Sequence, residues 1–534
     1  MSGKVDRSGA GKGSGRRGRS AFAALAVFSL AAAVYATYGF DGPLYRDYGI
    51  YLYGGQRLAE GVPPYAGIFD HKGPLPVALA GLGVIVSGWL GSDEVYTVRA
   101  VFFFAACLSA VAVYALGESA FRSRTVGFLA ALTFLGFGGY SVAAGSGPEP
   151  KTPLVLFQAL CLAAMFGKRW FWAGLLGALA ALTWQPTGIL LVVGLALVLF
   201  RSAAERWSAT ARFVAGAAAP LVGTFLYYLY SGALRELFEG LLIFNLLRVS
   251  RSGGPPFVNP DRILHSVGEG YGLMAPVAVL GLGAIVALYF SRPARRRFAP
   301  LLLSMPLFVL WSLTDFQVAQ DFYVFLPYAA VGFGAMLAGV AAALAGSAHA
   351  VRWGYGGAVV PVMGSLLLGA AVGGPLLDGT ARPEPSLKEQ RASAEEVRAR
   401  LGEGARVASI NAPQALALLG ETNPNPYLFI TDGIDRQISA EHPGGFEGWL
   451  RDLERHDPDA LAFFADAQRQ PPDADLTERH DELLADWLYT NGYKAEKVGN
   501  FWLYVRGQES RRPARGGRRS RHRRSRRPAR RGSA

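Results

Sequence analysis

The residue types best suited to chemistry fall in one short stretch of the chain. Asp47 stands in Tyr45-Arg46-Asp47-Tyr48-Gly49, just past an apolar run of helical length. Asp70-His71-Lys72-Gly73-Pro74-Leu75 then precedes a second apolar run. A carboxylate in a loop between two lipid-facing segments can take a proton from a reactant beside a substrate whose tail stays in the bilayer. A lysine in that loop lies at the depth of an anionic lipid headgroup. The competing reading of Asp47 alone is an ordinary solvated loop carboxylate.

The elements that must position these groups are apolar helices. The chain has 534 residues, of which 51% are hydrophobic and 17% charged, and its mean hydropathy is +0.23. Repeated apolar runs of about 17–22 residues point to bilayer-spanning helices and not to one oversized soluble core. The formal net charge of +13 resides in the tails. Twelve arginines lie between Arg511 and Arg531 without an acid, and six basic residues lie between Lys4 and Arg19. The body between them is close to neutral or slightly acidic, so neither tail is read as fold. Cys107 and Cys161 both fall in apolar runs and predict neither a disulfide nor a metal site. Residues 21–38 lack a persuasive cleavage site before Phe40-Asp41-Gly42-Pro43, and read as a retained signal anchor.

Lysine and arginine accumulate near the cytoplasmic ends of membrane helices. With the basic N-terminus inside and 75–90 treated as an interfacial or re-entrant segment, Arg122, Arg124, Lys168, Arg169, Arg201, Arg206, Arg295–Arg297 and Arg352 all fall inside. The implied spans are 21–38, 94–116, 125–143, 152–167, 170–185, 187–200, 213–231, 269–290, 298–314, 322–344 and 353–376. Proline splits the run 170–200 at Trp184-Gln185-Pro186. The expected fold class is a polytopic α-helical membrane protein of about 11 transmembrane helices with a small extracytoplasmic α/β C-terminal domain. The expected boundaries are a basic cytoplasmic tail (1–20), a membrane domain (21–376) with its outer loop 39–93, the α/β domain (377–507) and an Arg-rich disordered tail (508–534). Asp47, Asp70, His71, Lys72, Glu149, Gln185, Asp315 and Asp321 then share the outer side. Polar groups at helix ends are costly unless they pair or line a wet cavity, which suggests a common vestibule. The plainer alternative is that loops are where polar residues go.

The strings Arg46-Asp47-Tyr48-Gly49-Ile50-Tyr51-Leu52-Tyr53, Gln56-Arg57-Leu58-Ala59-Glu60-Gly61-Val62-Pro63-Pro64-Tyr65 and Phe69-Asp70-His71-Lys72-Gly73-Pro74-Leu75 resemble the first outer loop of the GT-C glycosyltransferase superfamily. The nearest likeness is to dolichyl-phosphate-mannose protein mannosyltransferases and bacterial aminoarabinose transferases. The resemblance is strong over residues 35–120, and looser over the whole chain. Two positions depart from it. Many relatives carry Asp-Glu where this chain has Asp47-Tyr48, and Gly73 replaces the first proline of a Pro-Pro element.

What the resemblance implies is an inverting glycosyltransferase of the cell membrane that uses a polyprenyl-phosphate sugar, with mannose as the hexose most frequent in the family. The acceptor would be a hydroxyl of an extracytoplasmic protein, lipid or glycan. Phosphate leaves without protonation, so one base suffices, and Asp47 is the candidate. Cations must stabilise the departing phosphate. Lys72 is favoured, then Arg57 and Arg99, although Arg99 reads equally well as a snorkelling side chain. Arg248 and Arg251 are weaker candidates for a lid. Glu149 would orient the acceptor or hold a metal, its alternative being a salt bridge to Lys151. His71 takes the place where some relatives put a metal-contacting acid, so a divalent metal ion is the one candidate cofactor. Gln185 and Asp321 would contact sugar hydroxyls or cap helix ends.

Beyond Pro375 the pattern changes. Helical periodicity at 387–401, 446–455 and 483–491 alternates with β-like runs at 406–410, 427–431, 460–464 and 501–505. This region holds no cysteine, phosphate loop or metal-spaced histidine cluster, and reads either as acceptor recognition or as packing over the vestibule. The arginine tail would lie outside, either solvated or bound to an anionic envelope polymer or lipid headgroups, and nucleic acid is no partner there. A transporter or flippase of a lipid-linked sugar is the alternative class. It calls for repeated halves and midplane ionisable residues, and the chain shows no internal repeat and clusters its acids at one face. A membrane-anchored scaffold or receptor would need neither so many helices nor the first-loop pattern.

Overall fold

A computed structural model describes residues 11–247, 260–345, 385–402, 404–431, 433–464 and 476–507, together with 364, 365, 367 and 369. The apolar runs fold as helices. The first stretch comprises α1 (Gly11–Ala36), α2 (Arg46–Ala59), α3 (Leu75–Leu90), α4 (Glu94–Phe121), α5 (Arg124–Leu135), α6 (Gly138–Ser146), α7 (Thr152–Phe166), α8 (Trp170–Thr183) and α9 (Ile189–Leu199). It continues through α10 (Ala203–Tyr230), α11 (Leu234–Phe238), α12 (Asn245–Leu247), α13 (Pro260–Tyr271), α14 (Ala275–Ala287), α15 (Arg292–Arg297), α16 (Ala299–Thr314) and α17 (Leu326–Ala345). Side-chain caps fix two of the starts. Asp93 accepts the Tyr96 N–H at 3.0 Å ahead of α4, and Ser123 accepts the Val126 N–H at 3.3 Å ahead of α5.

Helices fall on each expected span up to residue 344, and the span 353–376 lies largely outside the described residues. Four helical stretches are long and apolar enough to cross a membrane: Glu94–Phe121, Ala204–Tyr230, Gly272–Phe290 and Ala319–Ala343. The pair α5 and α6, bent by 71°, would make a fifth, and the other apolar helices run only 10–17 residues. By length and composition, the described residues therefore fall short of 11 full spans. The single helix expected over 125–143 is broken, because Phe137 leaves the helical region at φ −77°, ψ 90°. The break turns α6 toward the loops, where the Tyr323 hydroxyl donates to the Gly139 carbonyl at 3.0 Å. Between the expected spans 213–231 and 269–290, the described residues form α11, a π-helical turn at Glu239–Phe244, α12 and most of α13.

The C-terminal region is an α/β unit with α18 (Leu387–Leu401), α19 (Pro413–Leu419), α20 (Ile434–Glu441), α21 (Gly445–His456) and α22 (Glu478–Thr490). Its strands are β1 (Val407–Ser409), β2 (Ala460–Phe464), β3 (Tyr493–Val498) and β4 (Phe501–Arg506), in the order β1-β2-β4-β3. The β1–β2 pair is parallel and the other two are antiparallel. Two expectations fail here. Residues 427–431 are buried but form no strand. Side chains occupy their backbone instead: Ser409 Oγ donates to the Leu428 carbonyl at 2.7 Å, and Asn423 Nδ2 donates to the Tyr427 carbonyl at 3.1 Å. The charged edge strand β3, Tyr-Lys-Ala-Glu-Lys-Val, has too little apolar alternation to be read from sequence.

One apolar core joins this unit to the loop helices. Leu44, Tyr48, Ile50, Leu52 and Val77 pack in the same cluster as Leu387, Leu416, Leu428, Ile438 and Trp449. Polar contacts flank it. Gln390 Oε1 accepts the Leu44 N–H at 2.7 Å, and the Phe69 N–H donates to the Pro426 carbonyl at 2.7 Å. Two glycines permit close approaches around the site-bearing loop. A Cβ on Gly49 would stand 2.5 Å from the Gln414 nitrogen, and one on Gly73 would stand 1.9 Å from the Leu182 carbonyl oxygen. Gly73 thus occupies its place because α8 leaves no room for a side chain. Gly73→Ala is expected to lower stability by about 1–3 kcal/mol through overpacking, read as a drop in thermal midpoint in detergent. Gly88→Ala on α3, whose added methyl meets nothing within 4 Å, should leave the midpoint unchanged or raised.

Candidate active site

Asp47 lies in the first turn of α2, where the helix N-terminus favours a negative charge. Lys72 lies 25 residues on, and its Nζ donates to Asp47 Oδ2 at 2.8 Å. Arg46 Nε stands 3.5 Å from the other Asp47 oxygen. The Lys72 ammonium is also 5.8 Å from the centre of the Tyr51 ring. The backbone that delivers Lys72 is held from several sides. The Tyr65 hydroxyl donates to the Lys72 carbonyl at 2.6 Å, and Asp70 Oδ1 accepts the N–H groups of His71 and Lys72 at 2.7 and 3.3 Å. Gln185 Nε2 and Asn245 Nδ2 both donate to the His71 carbonyl, at 2.6 and 2.7 Å. Gln185 thus anchors the loop through its amide.

A second ionic cluster adjoins the first. Glu149 and Lys151 are both buried, and Glu149 Oε1 accepts the Lys151 backbone N–H at 3.1 Å. The Lys151 ammonium pairs instead with Asp321, and it lies 5.1 Å from the Trp184 ring centre. Asp321 Oδ2 also accepts the N–H groups of Gln317 and Val318 at 2.6 and 3.1 Å, so it caps a turn and neutralises a lysine at once. A buried pair of this kind costs about 3–5 kcal/mol when one partner is removed.

The two carboxyls nearest each other electrostatically are pushed in opposite directions. Burial opposes the charge on Asp47, but Lys72, Arg46 and more distantly Lys151 hold its carboxyl well below the usual range. Burial raises Glu149 above the ordinary glutamate value, with Asp47 adding to the rise and Lys151 and Lys72 opposing it. Burial would also neutralise Lys72, yet Asp47 and Asp70 keep it charged and raise its pKa. The Asp47 side chain stays 39% exposed, so it remains open to a reactant. One carboxylate is ionised and reachable; the other is buried and biased toward its neutral form.

Other sequence candidates are placed elsewhere. Arg99 is fully buried, and its guanidinium donates to the carbonyls of Gly147 at 3.0 Å, Gly42 at 2.7 Å and Phe40. It neither snorkels nor reaches out, and ties the loop before α2 to the Glu149 loop. Arg57, at the far end of α2, pairs with Glu60 and reaches Thr422 Oγ1 at 3.3 Å. Arg248 and Arg251 lie outside the described residues. His71 Nδ1 faces Asp70 at 3.8 Å, and among the described residues no three His, Cys, Asp or Glu side chains converge to hold a metal ion. The donor set does not fit a metal, and no step is derived through one. The sequence reading took Lys151 only as a partner for Glu149. A lysine just before a helix N-terminus is electrostatically misplaced, which signals an acid elsewhere in the fold. Asn245 carried no such signal.

Directly after Lys72-Gly73, Pro74 and Leu75 help line an apolar cavity of about 280 Å³ with Leu58, Leu182, Gly223 and Tyr228.

No protein-family model matches the chain, and no curated protein sequence matches it. The fold has solved counterparts. A structure of ArnT from Cupriavidus metallidurans bound to undecaprenyl phosphate matches with a TM-score of 0.57 at 15% identity, covering 93% of this chain and 99% of that one. The apo state of the same protein matches with a TM-score of 0.54 at 14% identity, over 94% of this chain and 100% of that one. The chain therefore shares the fold of ArnT over nearly its whole length.

The Asp47–Lys72 contact sets a pH dependence. A lowered carboxyl pKa contributes stability that is fully present above the unfolded carboxyl value, about 3.9, and is lost as pH falls below it. The raised Lys72 value makes the same contact lose its effect only at strongly alkaline pH. The thermal midpoint of wild type should therefore exceed that of Lys72→Met by a constant margin from about pH 5 to 9. The margin should shrink below about pH 4, as a melting series in detergent would show.

Proposed function

We propose that this chain is an integral-membrane, inverting glycosyltransferase that takes a sugar from a polyprenyl-phosphate donor. The observation that carries this reading is the 2.8 Å contact of Asp47 with Lys72, beside the apolar cavity bordered by Pro74 and Leu75. An anionic headgroup on an apolar tail needs just such a cation next to a greasy slot. The ArnT structure that shares this fold is bound to a lipid of that chemistry, undecaprenyl phosphate.

In this reading the donor phosphate draws the Lys72 ammonium from Asp47. Losing that neighbour raises the basicity of Asp47 just when substrate arrives. The acceptor hydroxyl attacks the anomeric carbon, and its proton passes to Asp47. The bond from the anomeric carbon to the phosphate oxygen breaks, the electron pair leaving with polyprenyl phosphate. Attack opposite the leaving group inverts the anomeric centre. Lys151, Glu149 and Asp321 lie close enough to shape the sugar and acceptor sites, and Arg57 would guide the donor from the edge. Arg99 sets the spacing of the two loops. The sugar proposed is a hexose, mannose first, and the acceptor a hydroxyl of an extracytoplasmic protein, lipid or glycan. In this reading the N-terminus lies in the cytoplasm, and the site and residues 377–507 lie outside.

Membranes carrying wild type or Asp47→Asn, supplied with radiolabelled polyprenyl-phosphate mannose, test the reading. Wild type should move label into a protein, lipid or glycan fraction, and the variant should lose ~10²-fold or more of that rate. Transfer that persists in Asp47→Asn would remove Asp47 as the base. No transfer by wild type from any of a panel of polyprenyl-phosphate sugars would overturn the class.

A further inference from the structure

Three side chains of the C-terminal unit line up far from Asp47 in the chain. Asp435 and Ser439 sit one turn apart on α20, and His480 stands in the first turn of α22. His480 Nδ1 is 2.8 Å from Asp435 Oδ2, and its Nε2 is 2.8 Å from Ser439 Oγ. The Asp435 side chain is 2% exposed and also accepts the Thr477 N–H at 3.1 Å. The His480 ring stacks on Phe446 at 4.4 Å and 17°, which fixes its plane. Ser439 is exposed.

We propose that Ser439, His480 and Asp435 form a second, hydrolytic site for carboxylic esters, independent of the sugar-transfer reading. A buried carboxylate beside Nδ1 places the ring proton there, because a bare nitrogen lone pair would repel it at that distance. Nε2 is then the acceptor for the Ser439 hydroxyl proton, the relation a serine nucleophile needs. Ser439 Oγ attacks the ester carbonyl as its proton passes to Nε2. The alcohol leaves with that proton, and water then attacks the acyl-serine through the same imidazole, releasing the carboxylic acid. Charge on the carbonyl oxygen calls for N–H donors. The N-terminus of α21 lies alongside, reached through Gly444 and Gly445 at φ +83° and +64°. A Cβ on Gly445 would stand 3.3 Å from the Ser439 carbonyl oxygen.

A capping role for His480 accounts for only half of this geometry. Asp435 accepts the N–H of Thr477, which precedes α22, and Thr477 Oγ1 is 2.7 Å from Nδ1, yet holding the helix start does not call for the Nε2 contact with an exposed serine. The site also stands near the membrane-domain loops. Glu441, two residues past Ser439, pairs at 3.1 Å with Arg235 of α11, just beyond the end of α10. Esters at the bilayer surface are therefore within reach.

The full-length protein in detergent should be treated with a fluorophosphonate probe, and the labelled peptide identified by mass. Label is expected on Ser439, with p-nitrophenyl acetate hydrolysis that falls ~10²-fold in Ser439→Ala. Both should survive Asp47→Asn, which separates this site from the transferase reading. His480→Gln should abolish the label, while thermal midpoints confirm that each variant folds. Absence of label on folded wild type would overturn the proposal. So would label on Ser439 that persists in His480→Gln, since the serine would then owe nothing to the imidazole.

Discussion

A partly buried carboxylate is stabilised by a matching cation, and much of this structure serves that match. Asp47 is placed by the start of α2, and Lys72 returns to it across the loop between α2 and α3. Around this contact the backbone is pinned by Tyr65, Asp70, Gln185 and Asn245, drawn from three separate stretches of chain. Loosening them would let the ammonium drift from Asp47 and leave Arg46 as its nearest cation. The glycine at position 73, with the Leu182 carbonyl against it, is part of the same arrangement.

The C-terminal unit belongs to this construction and is not an appendage. Its core is continuous with that of α2 and α3, so the helix that carries Asp47 is packed from both sides. Arg46, which flanks Asp47, donates to Thr431 Oγ1 at 2.9 Å and lies 5.4 Å from the Phe429 ring centre. The segment 427–431 thereby presents a ring and a hydroxyl to Arg46, while side-chain bonds from Ser409 and Asn423 hold its backbone.

The ionic groups also divide labour by environment. Burial opposes the charge on both Asp47 and Glu149, and direct pairing decides between them, because Lys72 and Arg46 contact Asp47 whereas the Lys151 ammonium pairs with Asp321 instead of Glu149. Asp47, held by its cations, stays ionised, while enclosed Glu149 is pushed toward the proton. Arg99 meets the cost of enclosure with backbone carbonyls, and Asp321 with backbone N–H groups beside the Lys151 ammonium.

The sequence by itself determined what depends on nearby residues. Apolar runs set most helix positions, and the change of pattern past residue 375 marked the α/β unit. The loop bearing Asp47 and Lys72 could be singled out because both lie between two such runs. The tertiary structure alone decided what depends on chain closure. Lys151 pairs with Asp321 across 170 residues, and His480 meets Asp435 across 45. Arg99 read as a phosphate ligand or a snorkelling side chain until three backbone carbonyls surrounded it. Periodicity reports which face of an element is apolar, and that is a local property. Which charges become neighbours is set by how distant elements pack, and no window along the chain contains that information.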